Sequence, residues 1–132
     1  MMTNQELIDA FQSDSLPPDS FHHYDHVHLA FAYLSVQPPL QALESFSAAL
    51  QRYATARGKA QLYHHTITYA YFFLIHERMA RAASGNWEEF AVQNPDLLEW
   101  KPGVLGRYYC ESTLQSDLAR SVFLLPDKFA GL

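Results

Sequence analysis

The sequence predicts an all-α fold, a single helical bundle of four longer helices followed by short C-terminal helices, over residues 1–132. Apolar residues recur at intervals of three and four along most of the chain, which is the period of a helix with one buried side. The sequence contains no alternating segments joined by a hairpin turn and no repeated block. With 132 residues, 48% of them hydrophobic and 17% charged, the chain has the size and composition of one globular domain.

Two helices are predicted before residue 37. Thr3 and Glu6 have the spacing of a capping box, and the helix that they begin is predicted to end near Ser13. Prolines in residues 16–20 predict a linker, because proline lacks an amide donor and restricts the residue before it. A second helix, ending near Val36, is indicated by apolar residues at helical spacing: Val27, Ala30, Phe31 and Leu34.

The third and fourth helices are predicted on either side of Gly58. Pro38 and Pro39 end the second helix and begin the third, and Gly58 suits the C-terminal cap of the third. The fourth helix is predicted over residues 60–83. Eight of the nine residues from 67 to 75 are apolar or aromatic, so we expect this helix to be apolar on all sides and the most buried element.

The C-terminal third predicts only short helices, over residues 87–93, 94–100, 102–109 and 116–123. Asn94 and Ser116 are good N-cap residues, and each is followed within two residues by an aspartate that suits the positive end of the helix dipole. Cys110 follows two tyrosines in this helical region, and we expect it to be a small buried residue.

Charge and composition narrow the expected partners. Nine basic residues against fourteen acidic ones give a net charge of −5, and the basic residues are scattered singly, so we expect no nucleic-acid partner. The first six residues lack the basic and apolar regions of a secretory signal, and no segment approaches the roughly 20 apolar residues of a membrane span. Together with the single cysteine, these features predict a cytoplasmic protein without a membrane partner. A homodimer remains compatible with the sequence.

Histidines are the most informative feature of the chain. Four of the seven lie within residues 22–28, and His64 and His65 stand side by side before the fourth helix. Imidazole titrates near neutral pH and is the commonest metal ligand in proteins. His23 and His26 are three residues apart on the apolar side of the second helix, so we expect both to point inward. His22 could join them, whereas His28 is expected to face solvent.

A metal site is the leading functional hypothesis from these histidines. His64, on a different helix from His23 and His26, would complete three nitrogen ligands and leave a metal position open for water or substrate. Nitrogen ligands favour a divalent transition metal, namely zinc, iron, copper or nickel. Asp25 would orient a ring nitrogen or cap a helix, and Thr68 would orient water or substrate. Three more residues flank the predicted site: Tyr24, Tyr63 and Thr66.

The predicted activity is metal-dependent chemistry on a small molecule, as a hydrolase or lyase, or as an oxidoreductase if the metal binds dioxygen. Two alternatives stay open. The first is a metal-free helical module that binds a ligand or a protein, in which the histidines cap helices or form hydrogen bonds in the core. The second is metal-free acid–base catalysis by His64 with Asp25.

Several common active-site patterns are missing from the sequence. There is no Glu-x-x-His for a di-iron carboxylate bundle, no GxSxG elbow, no phosphate-binding glycine loop and no GxGxxG. His76 and Glu77 lack the second histidine of a zinc protease. Glu77 and Arg81 are therefore interpreted as a surface ion pair four residues apart.

Four segments of the chain resemble a family of small uncharacterised bacterial proteins. They are residues 21–30 (FHHYDHVHLA), 63–68 (YHHTIT), 94–98 (NPDLL) and 125–127 (LPD). The family pattern is F-x-H-x-D-H, then an apolar helix, then Y-H-x-T-x-T, and the resemblance covers most of the chain. It brings no activity with it, but it implies a set of matching positions: His23, Asp25, His26, His64, Thr66 and Thr68. His22 and His28 fall outside this pattern, and His65 stands where members often carry an acid.

Overall fold

The computed structural model describes residues 2–17, 19–83, 85–101 and 103–128. All regular structure in these ranges is helical, and the predicted all-α fold is confirmed. The α-helices are α1 (Asn4–Gln12), α2 (His23–Val36), α3 (Pro39–Ala56), α4 (His65–Arg81), α5 (Trp87–Gln93), α6 (Pro95–Leu98), α7 (Glu111–Leu114) and α8 (Asp117–Ser121). Two single turns of 3₁₀ helix are Ala60–Leu62 and Val104–Arg107. No helix in these ranges is long and apolar enough to cross a lipid bilayer.

Helix α2 is the centre of the fold, and it packs against α1, α3, α4, α5 and α6. Its middle is fully enclosed, with at most 3% exposure at Val27, Leu29, Ala30, Phe31, Ala32 and Tyr33. The prediction that the fourth helix would be the most buried is wrong, since Phe73 of α4 is 40% exposed. One side of α4 lies against the C-terminal segment instead of the core, and there Tyr69 and Phe73 both pack on Phe123.

The ends of the first three helices follow the signals in the sequence. The capping box of α1 is formed, with the Glu6 amide donating to Thr3 Oγ1 (3.1 Å) and the Thr3 amide donating to Glu6 Oε1 (2.8 Å). Helix α3 begins at Pro39 and is followed by Gly58, whose φ of +68° is the left-handed conformation that ends many helices.

The predicted surface ion pair of α4 is also present, with Arg81 Nε 2.7 Å from Glu77 Oε2.

Helix α4 begins at His65, later than predicted, because residues 60–62 form a separate 3₁₀ turn and His64 is extended. Helix α5 is capped by Asn86, whose Oδ1 accepts from the Glu89 amide (2.9 Å). Ser116 caps α8 as predicted, accepting from the Ala119 amide (3.1 Å). Asn94 precedes α6, but its side chain forms no cap and donates instead to the Phe90 carbonyl (2.9 Å).

Cys110 is exposed, so the prediction of a buried cysteine is wrong. It precedes α7, a short helix that the sequence did not indicate, and its amide donates to the Asp127 carboxylate (2.9 Å). Of the predicted helix over residues 102–109, residue 102 lies outside the described residues, and the rest forms only the 3₁₀ turn Val104–Arg107. Hydrogen bonds to Asp127 and Lys128 hold this region, and local sequence spacing does not predict such contacts.

The start of the C-terminal segment, residues 122–124, lies against α4. Thr66 Oγ1 donates to the Val122 carbonyl (2.7 Å) and accepts from the Leu124 amide (3.1 Å). The Tyr109 hydroxyl donates to the Leu124 carbonyl (2.7 Å). Thr66 is fully buried, so its hydroxyl serves the fold rather than orienting a substrate.

Candidate functional site

A cavity of about 420 Å³ lies between α2 and α4, and we call it the histidine cavity. Four of the five residues predicted for the site line it, namely His23, His26, His64 and Thr68. The other lining residues come from α2, α3, α4, α8 and the segments around residues 21, 62 and 100: Phe21, His22, Val27, Ala30, Phe46, Leu50, Leu62, Ile67, Tyr71, Phe72, Ile75, Trp100 and Arg120. The spacing of these residues along two separate helices therefore identified side chains that line the same cavity.

The inner end of the cavity, its floor, is apolar and belongs to the hydrophobic core. Its members are at most 3% exposed: Val27, Ala30, Phe46, Phe72 and Ile75. The outer end, its rim, is open to solvent and consists of His22, Leu62, Trp100 and Arg120. A molecule in the cavity would therefore meet polar groups near solvent and hydrocarbon inside.

His23 is the first residue of α2, and the C-terminal region fixes its ring. Nε2 lies 2.9 Å from the carbonyl oxygen of Leu97, on α6. A carbonyl only accepts hydrogen bonds, so this contact places the proton on Nε2 and leaves a lone pair on Nδ1. The ring also lies edge-on to Tyr71, with 4.8 Å between ring centroids. Burial lowers the pKa of His23, and the Leu97 carbonyl offsets part of that effect.

His26 lies one turn further along α2, with its ring centroid 4.3 Å from that of Phe21. No hydrogen bond joins its ring nitrogens to another residue within the described ranges. Burial, with smaller contributions from the imidazoles of His23 and His22, lowers the pKa of His26 to about 4. At neutral pH the ring is therefore uncharged and offers the cavity one donor and one acceptor.

His64 lines the same cavity, but both of its ring nitrogens are engaged. Nδ1 accepts from the Ile67 amide (3.1 Å), so the side chain caps the N-terminus of α4. Nε2 donates to the Leu114 carbonyl (2.7 Å), which ties α4 to α7. Burial lowers the pKa of His64, and the neutral ring satisfies both bonds. Coordination of a metal by His64 would require the loss of one of them.

Asp25 and Thr68 have separate environments. Asp25 Oδ2 accepts from the His22 amide (2.9 Å), which makes Asp25 the capping-box partner at the start of α2. Asp25 was predicted to orient a ring nitrogen or to cap a helix, and in the structure it caps the helix. It is not among the residues that line the histidine cavity. Thr68 is half-buried and lies one turn after His64 along α4, where it lines the cavity.

The other histidines and tyrosines of the two clusters pack elsewhere. His28 stacks on Trp87 with centroids 4.4 Å apart, so the expectation that it faces solvent is wrong. The Tyr24 hydroxyl accepts from Trp87 Nε1 (2.9 Å) and has a structural role. His65 packs on Tyr69, with 4.1 Å between ring centroids, on the side of α4 that carries the C-terminal segment.

Sequence reasoning missed Trp100 and Arg120 of the cavity wall, which come from two distant parts of the chain, so no local spacing connects them with the histidines. Tyr71 also lines the cavity, and it follows His64 by seven residues, which is the spacing of one helix face. Arg120 Nη1 donates to the Gln61 carbonyl (3.1 Å), which holds the guanidinium at the rim. Burial raises the pKa of Tyr71 to about 12, so its hydroxyl stays protonated at neutral pH.

In the part of the chain that the structure describes, no three His, Cys, Asp or Glu side chains form a ready-made metal-ligand group. No protein-family model, no curated protein and no solved structure matches this chain.

Proposed function

We propose that this protein binds a small organic molecule in the histidine cavity, with His23 and His26 as its main polar contacts. The observation that carries the proposal is the free imidazole of His26, which lines a cavity that extends into the core. A polar ring at such a place costs free energy unless a partner satisfies it, and a ligand or water can be that partner.

The dimensions and chemistry of the cavity support this proposal. Its volume of about 420 Å³ lies within the roughly 300–1,000 Å³ of small-molecule sites. Such sites are mostly apolar with a few polar groups, and here an apolar floor is combined with four imidazoles and the Thr68 hydroxyl. His23 and His64 are held by backbone carbonyls, so the polar wall is already ordered.

The proposal is tested by screening small fragments against ¹⁵N-labelled protein by NMR. We expect hits that shift the amide signals of residues around His23 and Thr68. Ala30→Leu adds a bulky side chain to the floor and should weaken these hits at least about tenfold, since the added atoms occupy the ligand's volume. Ala48→Leu on α3, outside the cavity lining, is the matched control and should bind as the wild type does.

Two results would contradict the proposal: a wild-type protein that binds no fragment, or an Ala30→Leu protein that binds the same fragments equally well. Overpacking a core position can also destabilise a protein by about 1–3 kcal/mol. Thr68→Leu therefore serves as a second blocking variant, because Thr68 is only half-buried and its replacement places less strain on the core.

Metal binding is the second candidate function, and the geometry of His23 favours it. Metal-ligating histidines usually donate their second ring N–H to a carbonyl or carboxylate, as His23 Nε2 does to Leu97. Nδ1 of His23 and the ring of His26 would then be the first ligands, and His64 would join after releasing a hydrogen bond. The metal would act as a Lewis acid or activate a bound water.

Calorimetric titration of untagged protein with Zn²⁺ tests the metal candidate. His23→Ala and His26→Ala should each abolish binding, and chelator should lower the Tm of metal-loaded protein, because a ligand of the native state stabilises it. His28→Ala, which removes a ring stacked on Trp87 outside the cavity, is the control. Equal Zn²⁺ binding by the wild type and the two site variants would reject this candidate.

A further inference from the structure

The wall of the histidine cavity differs in charge from the rest of the protein. The whole chain carries fourteen acidic and nine basic residues. No carboxylate is found among the cavity-lining residues of the described ranges, whereas the guanidinium of Arg120 is present. Such a distribution favours an anion over a cation, because a charged ligand is attracted by a complementary potential.

Arg120 provides the permanent positive charge of this wall. One of its five N–H donors is used by the Gln61 carbonyl. Four other arginines form ion pairs with carboxylates: Arg57, Arg78, Arg81 and Arg107. No such pair includes Arg120 among the residues the structure describes, so its guanidinium keeps donors for a ligand at the rim.

We propose that the ligand of the histidine cavity is a small amphipathic carboxylate, with its carboxylate on Arg120 at the rim and its apolar body on the floor. This inference rests on the proposed function and names its ligand class. A planar guanidinium matches the geometry of a carboxylate. The floor residues Phe46, Phe72 and Ile75 are at most 3% exposed and accept hydrocarbon.

The test compares three eight-carbon compounds that differ only in their polar end: octanoate, octanol and octylamine. Isothermal titration calorimetry at neutral pH should give the tightest binding for octanoate and the weakest for octylamine. Arg120→Gln should weaken octanoate binding about fivefold and leave octanol unchanged, as expected for a solvent-exposed ion pair. Arg52→Gln is the matched control, because it removes the same charge from an exposed position on α3 outside the cavity.

A salt titration gives an independent measurement. Raising the salt concentration from about 0.01 M to about 1 M shortens the Debye length from about 30 Å to about 3 Å. Octanoate binding should therefore weaken while octanol binding does not, since only the carboxylate contact is screened.

The inference is overturned if octanol or octylamine binds as tightly as octanoate, or if Arg120→Gln and Arg52→Gln have the same effect. It is also overturned if octanoate fails to bind while fragments of the NMR screen do, and in that case the proposed function stands. If Ala30→Leu weakened the binding of no fragment, both the inference and the proposed function would be overturned.

Discussion

Two histidines of the cavity, His26 and His64, differ in what surrounds their ring nitrogens. His64 donates to one backbone group and accepts from another, whereas the His26 ring contacts Phe21 and the open cavity. The first is a structural residue, and the second is free to contact a ligand. Spacing predicted that both would lie near His23, but their partners are set by tertiary structure, as with the Leu114 carbonyl, fifty residues beyond His64.

At His64 we predict a loss of stability in His64→Ala of about 2 kcal/mol. The substitution removes the cap of α4 and leaves the Leu114 carbonyl without its donor. Urea unfolding measures the change. His64→Asn should lose less, because asparagine is a good N-cap. Equal stability of wild type and His64→Ala would show that this histidine does not act as a cap.

At His26 we predict a pH-dependent loss of stability. Its pKa is lowered to about 4 in the fold, against about 6.5 in the unfolded chain, so the unfolded state binds more protons between these values. The stability is complete above pH 6.5 and is lost as the pH falls toward 4, by about 3 kcal/mol from this residue. His23, His28 and His64 have pKa values lowered by burial and add to the same trend.

The measurement is the free energy of unfolding of His26→Gln and of wild type at several pH values between 4 and 7. The variant should show a clearly smaller slope, whatever its stability at neutral pH. Glu6→Gln is the control: it removes a carboxylate outside the cavity whose pKa the hydrogen bonds with Thr3 hold below the usual range, so the slope between pH 4 and 6.5 should persist. An unchanged slope in His26→Gln would contradict the burial of a neutral imidazole.

At the scale of elements, the short helix α6 positions His23 through the Leu97 carbonyl. An ion-pair network holds α6 in place: Arg78 donates to both oxygens of Asp96, at 3.0 and 2.8 Å, and to Asn94 Oδ1 at 2.8 Å. Arg107 adds a bond to Asp96 at 3.2 Å. The sequence indicated where α6 lies along the chain, but its docking depends on Arg78, which no local pattern joined to it.

We predict that Asp96→Ala destabilises the protein by about 1–2 kcal/mol, because it leaves Arg78 without its bidentate partner. It should also shift the NMR signals of the His23 ring, since α6 carries the Leu97 carbonyl. Glu77→Ala breaks an exposed ion pair with Arg81 and should cost less than about 0.5 kcal/mol. Similar stability of the two variants would show that the Asp96 network does not hold α6.

At the scale of the whole molecule, the periodicity of apolar residues was sufficient to predict the fold class and the longer helices. A helix that is buried on one side has apolar residues at intervals of three and four. The same periodicity did not predict which helix is central, which is α2 and not α4. Helix α4 has apolar residues on all sides, and such a helix can be covered by another helix or by an extended segment. Here residues 122–124 cover part of one side. For the cavity, the histidines were predicted from their spacing. Trp100 and Arg120 were not, because only the tertiary fold brings them to the cavity.

The central claim is that a small molecule binds against His23 and His26 in the histidine cavity. The most direct test is NMR of protein with ¹⁵N-labelled histidine side chains during titration with the tightest-binding fragment or octanoate. The account predicts that the ring nitrogen signals of His26 and His23 shift with saturation, while those of His28 and His65, which pack outside the cavity, stay in place. Shifts confined to His28 and His65, or no shift of His26 at saturating ligand, would contradict it.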